Sequence, residues 1–223
     1  MIHLGSPPEQ RSSIFEPKNG LKRLFFFNSD KLSFSAAAAC TCLALCLFFY
    51  LTDGQKYLDE SILYHFGRFD LAHNFSPWFF VFRCVGDFKT LRKVLSLLAF
   101  LPQLICCVYF GGVRKASLPY SLFMVTLSFV TLNKVVTAQY FAWYLVLAPL
   151  IYASLVITPS LKKAIYSWAL SQVNWLFWAY LYEFEHVEVA LLPVFISSVL
   201  FVVANLYCMV EIDKSYTFQL NKK

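Results

Sequence analysis

Leu32 to Thr52 carries no charged side chain, and five more charge-free apolar runs follow: Val94 to Val113, Ala116 to Asn133, Val135 to Leu161, Ala164 to Tyr182 and Val189 to Val210. Each is long enough to cross a hydrocarbon core about 30 Å thick at a helical rise of about 1.5 Å per residue. In lipid every backbone polar group must find its partner within the segment, so such runs are expected as helices. The alternating hydrophobicity of a membrane barrel is not present. The reading is an all-α, polytopic transmembrane helix bundle with about six membrane-spanning helices. Composition agrees, with 59% hydrophobic, 19% aromatic and only 14% charged residues, and a mean hydropathy of +0.58, beyond the usual soluble balance.

Charges beside the runs set an orientation, because Lys and Arg favour the cytoplasmic side. Lys18, Lys22, Arg23 and Lys31 precede the first run, Arg114 and Lys115 follow the second, Lys162 and Lys163 follow the fourth, and Lys214 follows the sixth. All four places fall on one side of a six-crossing chain with both termini cytoplasmic. The other, luminal side receives the segment 53–93, the Lys134 junction and the acidic turn Glu183 to Glu188. Segment 53–93 holds six Lys/Arg against five Asp/Glu, so the bias is weakest there. The expected organisation is a cytoplasmic tail over 1–31, a membrane domain over 32–210 and a second cytoplasmic tail over 211–223. The late, long first run reads as a start-transfer helix and not as a cleaved signal.

The net charge of +6 suits flanks that face anionic lipid, and no basic stripe points to nucleic acid. Six of the seven cysteines lie inside apolar runs, which is not a disulfide framework. Four scattered histidines show no metal-ligand spacing, so no metal ligand is assigned and no cofactor is identified, which leaves a role for a divalent metal open.

Polar chemistry gathers in two places. In "YHFGRFDLAHNFSPWFF", Tyr64 to Phe80, the residues Arg68, Asp70, His73 and Asn74 stand among aromatics. Arg offers a planar fork of donors, His can donate as a cation and Asn supplies both a donor and an acceptor, a set suited to a phosphate or polar headgroup. A loop whose charges simply meet water and headgroups is the alternative. Upstream, Asp53-Gly54 predicts a turn, and Tyr57, Glu60 or Ser61, and Tyr64 recur at helical spacing. Pro77 predicts the first turn of a short interfacial helix. Asn74-Phe75-Ser76 is formally a glycosylation sequon, although Pro77 and the apolar surroundings oppose modification. The second place is "TLNKVVTAQYFAWYLVLAPL", Thr131 to Leu150, where Lys134 interrupts a long apolar stretch beside Asn133, Thr137 and Gln139. Lys134 either snorkels to the interface or faces a cavity with an anionic partner.

Together these segments resemble the catalytic subunits of glycosylphosphatidylinositol (GPI) mannosyltransferase 1. Glu60, Leu63, Tyr64, His65, Arg68, Asp70, His73, Asn74, Phe75 and Ser76 match the first family pattern. Asn133, Lys134, Val135, Thr137, Gln139, Tyr140, Phe141, Trp143 and Tyr144 match the second. The resemblance runs from about Leu32 to Val210. It implies the C-terminal part of a GT-C-type glycosyltransferase of the endoplasmic reticulum membrane, with the polar motifs luminal. The donor would be dolichyl-phosphate mannose, the acceptor a glucosaminyl-phosphatidylinositol lipid, the new bond an α-1,4 linkage, and a small accessory subunit would be the protein partner. Substrate-binding candidates are Arg68, Asp70, His73, Asn74, Asn133, Lys134, Gln139 and Tyr140. Arg68, His73 and Lys134 suit phosphate; Asn74, Gln139 and Tyr140 suit sugar hydroxyls.

The departure from the family is as informative as the match. Family members carry a luminal Asp-x-Asp motif in an early loop, and this chain contains no Asp-x-Asp. No catalytic residue is therefore assigned. Glu183-Phe184-Glu185 reads as a helix-end charge cluster, and Glu211-Ile212-Asp213 falls on the cytoplasmic side. Such a chain would be a truncated mannosyltransferase or, alternatively, a non-catalytic subunit or inactive product that binds the accessory subunit. A transporter would show inverted repeats, which are not seen.

Overall fold

A computed structural model describes residues 29–64, 73–86, 88–114 and 116–216. The described residues form helices, with one isolated bridge between Leu155 and Tyr216 and no strand. Helix α1, Ser29–Asp53, is apolar all round, and none of its hydrophobic window is buried within the protein, the expected state of a helix that faces lipid. Gly54 ends it with a φ of +62°, a conformation that glycine adopts without a Cβ penalty. Gln55–Tyr57 then turns into a π-helical stretch over Leu58–Ile62, so the predicted helical patch forms.

Pro77 opens the short helix α2, Pro77–Val85, as its position in the sequence suggested. Ser76 caps it by accepting a hydrogen bond from the Phe79 amide at 3.3 Å. Helix α3, Lys89–Val108, continues as a π turn over Tyr109–Val113. Lys89, Arg92 and Lys93 therefore sit in its first turns and not in a loop. Helix α4, Leu118–Thr131, is capped by Ser117. Buried Gln103 joins it to α3 by donating from Nε2 to the Phe129 carbonyl at 2.8 Å.

The fourth apolar run departs from expectation. Val135 to Leu161 does not make one spanning helix. A short non-helical stretch, with Thr137 extended, passes into a 3-10 turn over Ala138–Tyr140, then α5, Phe141–Leu145, and α6, Ala148–Tyr152. Residues 155–158 are again non-helical, with Thr158 extended. Pro149 lacks the N–H that a continuous helix would use at that point, and the branched Val135, Val136 and Thr137 favour extended backbone. Among the described helices, three are long and apolar enough to cross a membrane: Leu32–Asp53, Lys89–Val113 and Glu188–Ser215. The shorter apolar helix Leu118–Thr131 accompanies them.

Helix α7, Pro159–Glu183, starts at a Thr158 cap, so Lys162 and Lys163 lie within its first turns. A turn over 184–190 leads into α8, Leu191–Ser215, and these two helices make the most extensive pairing in the bundle. Helix α8 runs past Val210, and Glu211, Ile212, Ser215 and Tyr216 are buried, so 211–216 belong to the bundle and not to a tail.

The centre of the core is an aromatic cluster. Trp175, 1% exposed, stacks on Phe201 with ring centroids 5.6 Å apart and meets Phe141 edge-on at 5.4 Å. One residue from each of α5, α7 and α8 thereby fixes the position of the broken segment, and burying side chains of this size is worth about 1.5–3 kcal/mol each.

Polar clamps close the two ends of the bundle. At one end Arg114 pairs with Asp213 at 2.7 Å, and the Tyr120 hydroxyl donates to the same carboxylate at 2.5 Å. The Tyr216 hydroxyl donates to Ser117 Oγ at 2.6 Å, and the Val156 amide donates to the Ser215 carbonyl at 2.9 Å. The other end holds the candidate site.

Candidate functional site

Asn74 is 1% exposed, and its side chain acts as a splint between distant segments. Its Nδ2 donates to the Lys134 carbonyl at 3.0 Å. Its Oδ1 accepts from the amides of Ser76 and Val136, each at 3.1 Å. Ser76 Oγ donates to the same Lys134 carbonyl at 2.7 Å, and the Phe75 amide donates to the Val136 carbonyl at 3.1 Å. Trp175 Nε1, from the aromatic core, donates to the Phe75 carbonyl at 2.8 Å. Buried backbone groups must be paired, and here the amide of a side chain pairs them where no sheet does. The sequon question is answered by the same contacts: the Asn74 amide is buried and engaged.

The two polar segments of the sequence thus meet at one place. Lys134, half-buried, donates from Nζ to Ser96 Oγ of α3 at 2.9 Å. Asn133 Oδ1 accepts from the Val135 amide at 3.5 Å. Gln139 is exposed, and Tyr140 lies against Trp143 with centroids 4.6 Å apart. Arg68 and Asp70 lie outside the described residues, as does His65.

His73 leads from this junction into an open cleft of about 290 Å³. Its Nδ1 contacts Glu183 Oε1 at the end of α7. Phe75 and buried Phe79 make one wall; Tyr182, Glu183, His186 and Glu188 make the other. Arg83 of α2 donates to the Tyr182 hydroxyl at 2.6 Å and lies over the Phe79 ring. His73 and His186, with φ of 54° and 52°, are the non-glycine residues with positive φ among those described, and both line this cleft. Such backbone costs energy and gathers where a site must present particular groups. Among the described residues no three His, Cys, Asp or Glu side chains stand close enough to hold a metal ion.

Several of these residues were not candidates from sequence. Glu183 reads as a helix-end charge and becomes the partner of His73. Ser76, although within the first pattern, had no assigned role. Trp175 lies inside an apolar run where nothing marks it, and His186 with Glu188 could be suspected only from their place in the luminal turn.

The helical bundle, its long apolar helices and the polar junction at one end fit a membrane protein in which residues 74–76 of one motif segment bond to residues 134–136 of the other. Residues 2–212 match the family model described as mannosyltransferase (PIG-M). The chain belongs to this mannosyltransferase family. It is 35% identical over 200 residues to the GPI alpha-1,4-mannosyltransferase I catalytic subunit of Danio rerio, a match covering 86% of this chain and 49% of that protein. The GPI mannosyltransferase 1 of Dictyostelium discoideum is 32% identical over 219 residues, 92% of this chain and 49% of the relative. That of Kluyveromyces lactis is 40% identical over 148 residues, 62% and 36% respectively. The chain spans about half the length of the first two relatives. No solved structure matches it.

Proposed function

We propose that this chain acts in GPI-anchor biosynthesis, in the transfer of the first mannose from dolichyl-phosphate mannose to a glucosaminyl-phosphatidylinositol lipid with an α-1,4 linkage. The observation that carries the reading is the Asn74 splint, which joins the two family motifs. The setting is a multi-pass protein of the endoplasmic reticulum membrane with about six crossings, both termini cytoplasmic and the motif segments luminal. A small accessory subunit is the proposed protein partner.

In this transfer the bond between mannose C1 and the phosphate oxygen breaks, the acceptor hydroxyl oxygen bonds to C1, and the hydroxyl proton passes to a base. Negative charge grows on the departing dolichyl phosphate, so fixed donors lower the barrier. Lys134 is the proposed cation for that task, with Arg68 and His73 as further phosphate contacts. Asp70, Asn133, Gln139 and Tyr140 remain substrate contacts of the proposal, Gln139 and Tyr140 for sugar hydroxyls. Asn74 is a positioning residue, since its amide holds the Lys134 backbone. The base is unassigned.

The test uses microsomes from cells that lack their own GPI mannosyltransferase 1 activity and express this chain with its accessory subunit. Labelled dolichyl-phosphate mannose and glucosaminyl-phosphatidylinositol are supplied. Formation of a mannosyl-glucosaminyl lipid, abolished by Lys134→Ala, is the expected result. Its absence with the wild-type chain at normal expression defeats the reading and favours the non-catalytic subunit.

A further inference from the structure

We infer that Arg92 of α3 is a second phosphate-binding cation, set beside Lys134 so that a guanidinium and an ammonium hold one lipid phosphate between them. The inference rests on the transfer reaction proposed above and adds a residue that lies in neither motif.

Placement carries it. Lys134 Nζ donates to Ser96 Oγ at 2.9 Å, which ties the ammonium to one position on α3. Arg92 stands one turn before Ser96 on the same face of that helix, a spacing at which Cβ atoms are about 6 Å apart. The face turns inward: Ser96, Ala99 and Gln103 are buried along it, and Arg92 is half-buried. Lys89 and Lys93, in the same first turns, are exposed. The register of the helix thus selects Arg92 among these cations and brings it to the turn next to the Lys134 ammonium.

Charge gives the pairing its meaning. Two cations on adjacent turns repel each other, and partial burial of both is favoured by an anion that meets both. The sequence from 88 to 182 contains no Asp or Glu, so the two elements that carry these cations offer no carboxylate of their own. Arg92 also stands on the side proposed as luminal, where arginine beside a spanning helix runs against the usual bias. A phosphate matches the planar fork of the guanidinium with two oxygens and meets the ammonium as a point charge. Both the donor and the acceptor lipid carry such a group.

Microsomal transfer at matched expression tests the assignment, with dolichyl-phosphate mannose and glucosaminyl-phosphatidylinositol varied in turn. R92Q is expected to raise KM by about tenfold or more for the lipid whose phosphate is held, which tells donor from acceptor. R92K, which keeps the charge and loses the fork, raises it by about threefold. K93Q, at an exposed position, stays within about twofold of wild type for both lipids. KM values in R92Q and R92K that match wild type, or an equal rise in K93Q, overturn the assignment. Binding of dolichyl phosphate and of phosphatidylinositol to the full chain in nanodiscs, read by native mass spectrometry, gives a measure independent of transfer. If wild type transfers no mannose, the proposed reaction falls, and the binding still decides Arg92: weaker binding of one lipid to R92Q than to K93Q supports it, and equal binding overturns it.

Discussion

Asn74 Oδ1 accepts a hydrogen bond from the amide of Val136 at 3.1 Å, across sixty-two residues of chain. The same side chain donates to the carbonyl of Lys134, so one buried amide sets the distance between the two family motifs. Its acceptor and donor roles cannot be exchanged, because the backbone groups opposite are an N–H on one side and a C=O on the other.

Asn74→Asp should therefore be as harmful as Asn74→Ala. The carboxylate keeps the acceptor for Val136 but sets a second oxygen, and a buried charge, against the Lys134 carbonyl. Each substitution is expected to cost about 1–3 kcal/mol, the price of buried backbone groups left unpaired. Thermal unfolding in detergent measures it, and an aspartate variant as stable as wild type would contradict the splint.

Trp175 has two separable contributions. Trp175→Phe keeps an aromatic ring against Phe201 and Phe141 but removes the Nε1 bond to the Phe75 carbonyl, for about 1 kcal/mol. Trp175→Ala empties the core centre and should cost about 3–5 kcal/mol. Equal losses for the two variants in denaturation would mean that the Phe75 bond, and not the ring, dominates.

Lys134→Ala should reduce mannosyl transfer by about a hundredfold or more, the scale of removing one preorganised donor from a developing anion. Ser96→Ala, which removes only the partner of Nζ, should reduce it far less. Transfer rates in microsomes at matched expression test the pair. Full activity in the lysine variant would remove Lys134 from the phosphate role.

At the opposite end, Asp213→Asn removes the charge that holds both Arg114 and Tyr120. Because the pair is partly buried, a loss of about 1–3 kcal/mol is expected, between the values for exposed and buried pairs. Below the unfolding temperature, mannosyl transfer in microsomes should be unchanged. A loss of transfer without a loss of stability would mean that the two ends are coupled.

Much of the architecture was legible in the linear pattern. The Gly54 turn, the helical patch after it and the Pro77 helix start all appear where local rules placed them, because each depends on residues a few positions away. The fourth run was misread for a related reason. Val135 to Leu161 is apolar throughout, and hydropathy does not distinguish a helix from extended or broken backbone whose polar groups are satisfied by neighbours. Asn74 was recognisable as a member of a pattern, yet its chemistry suggested a sugar contact while its surroundings make it a backbone splint.

Apolar runs of bilayer length, their basic flanks and two ordered polar motifs were enough, in the sequence itself, to determine a helical membrane protein of the mannosyltransferase family. Each of those signals is local or cumulative along the chain. Only the tertiary structure decided that Asn74 holds Lys134 and Val136, that Trp175 anchors Phe75, and that Glu183 faces His73. Those partners are separated by sixty to more than a hundred residues, and the cost of closing such loops is met by packing the whole bundle, which no short stretch of sequence encodes.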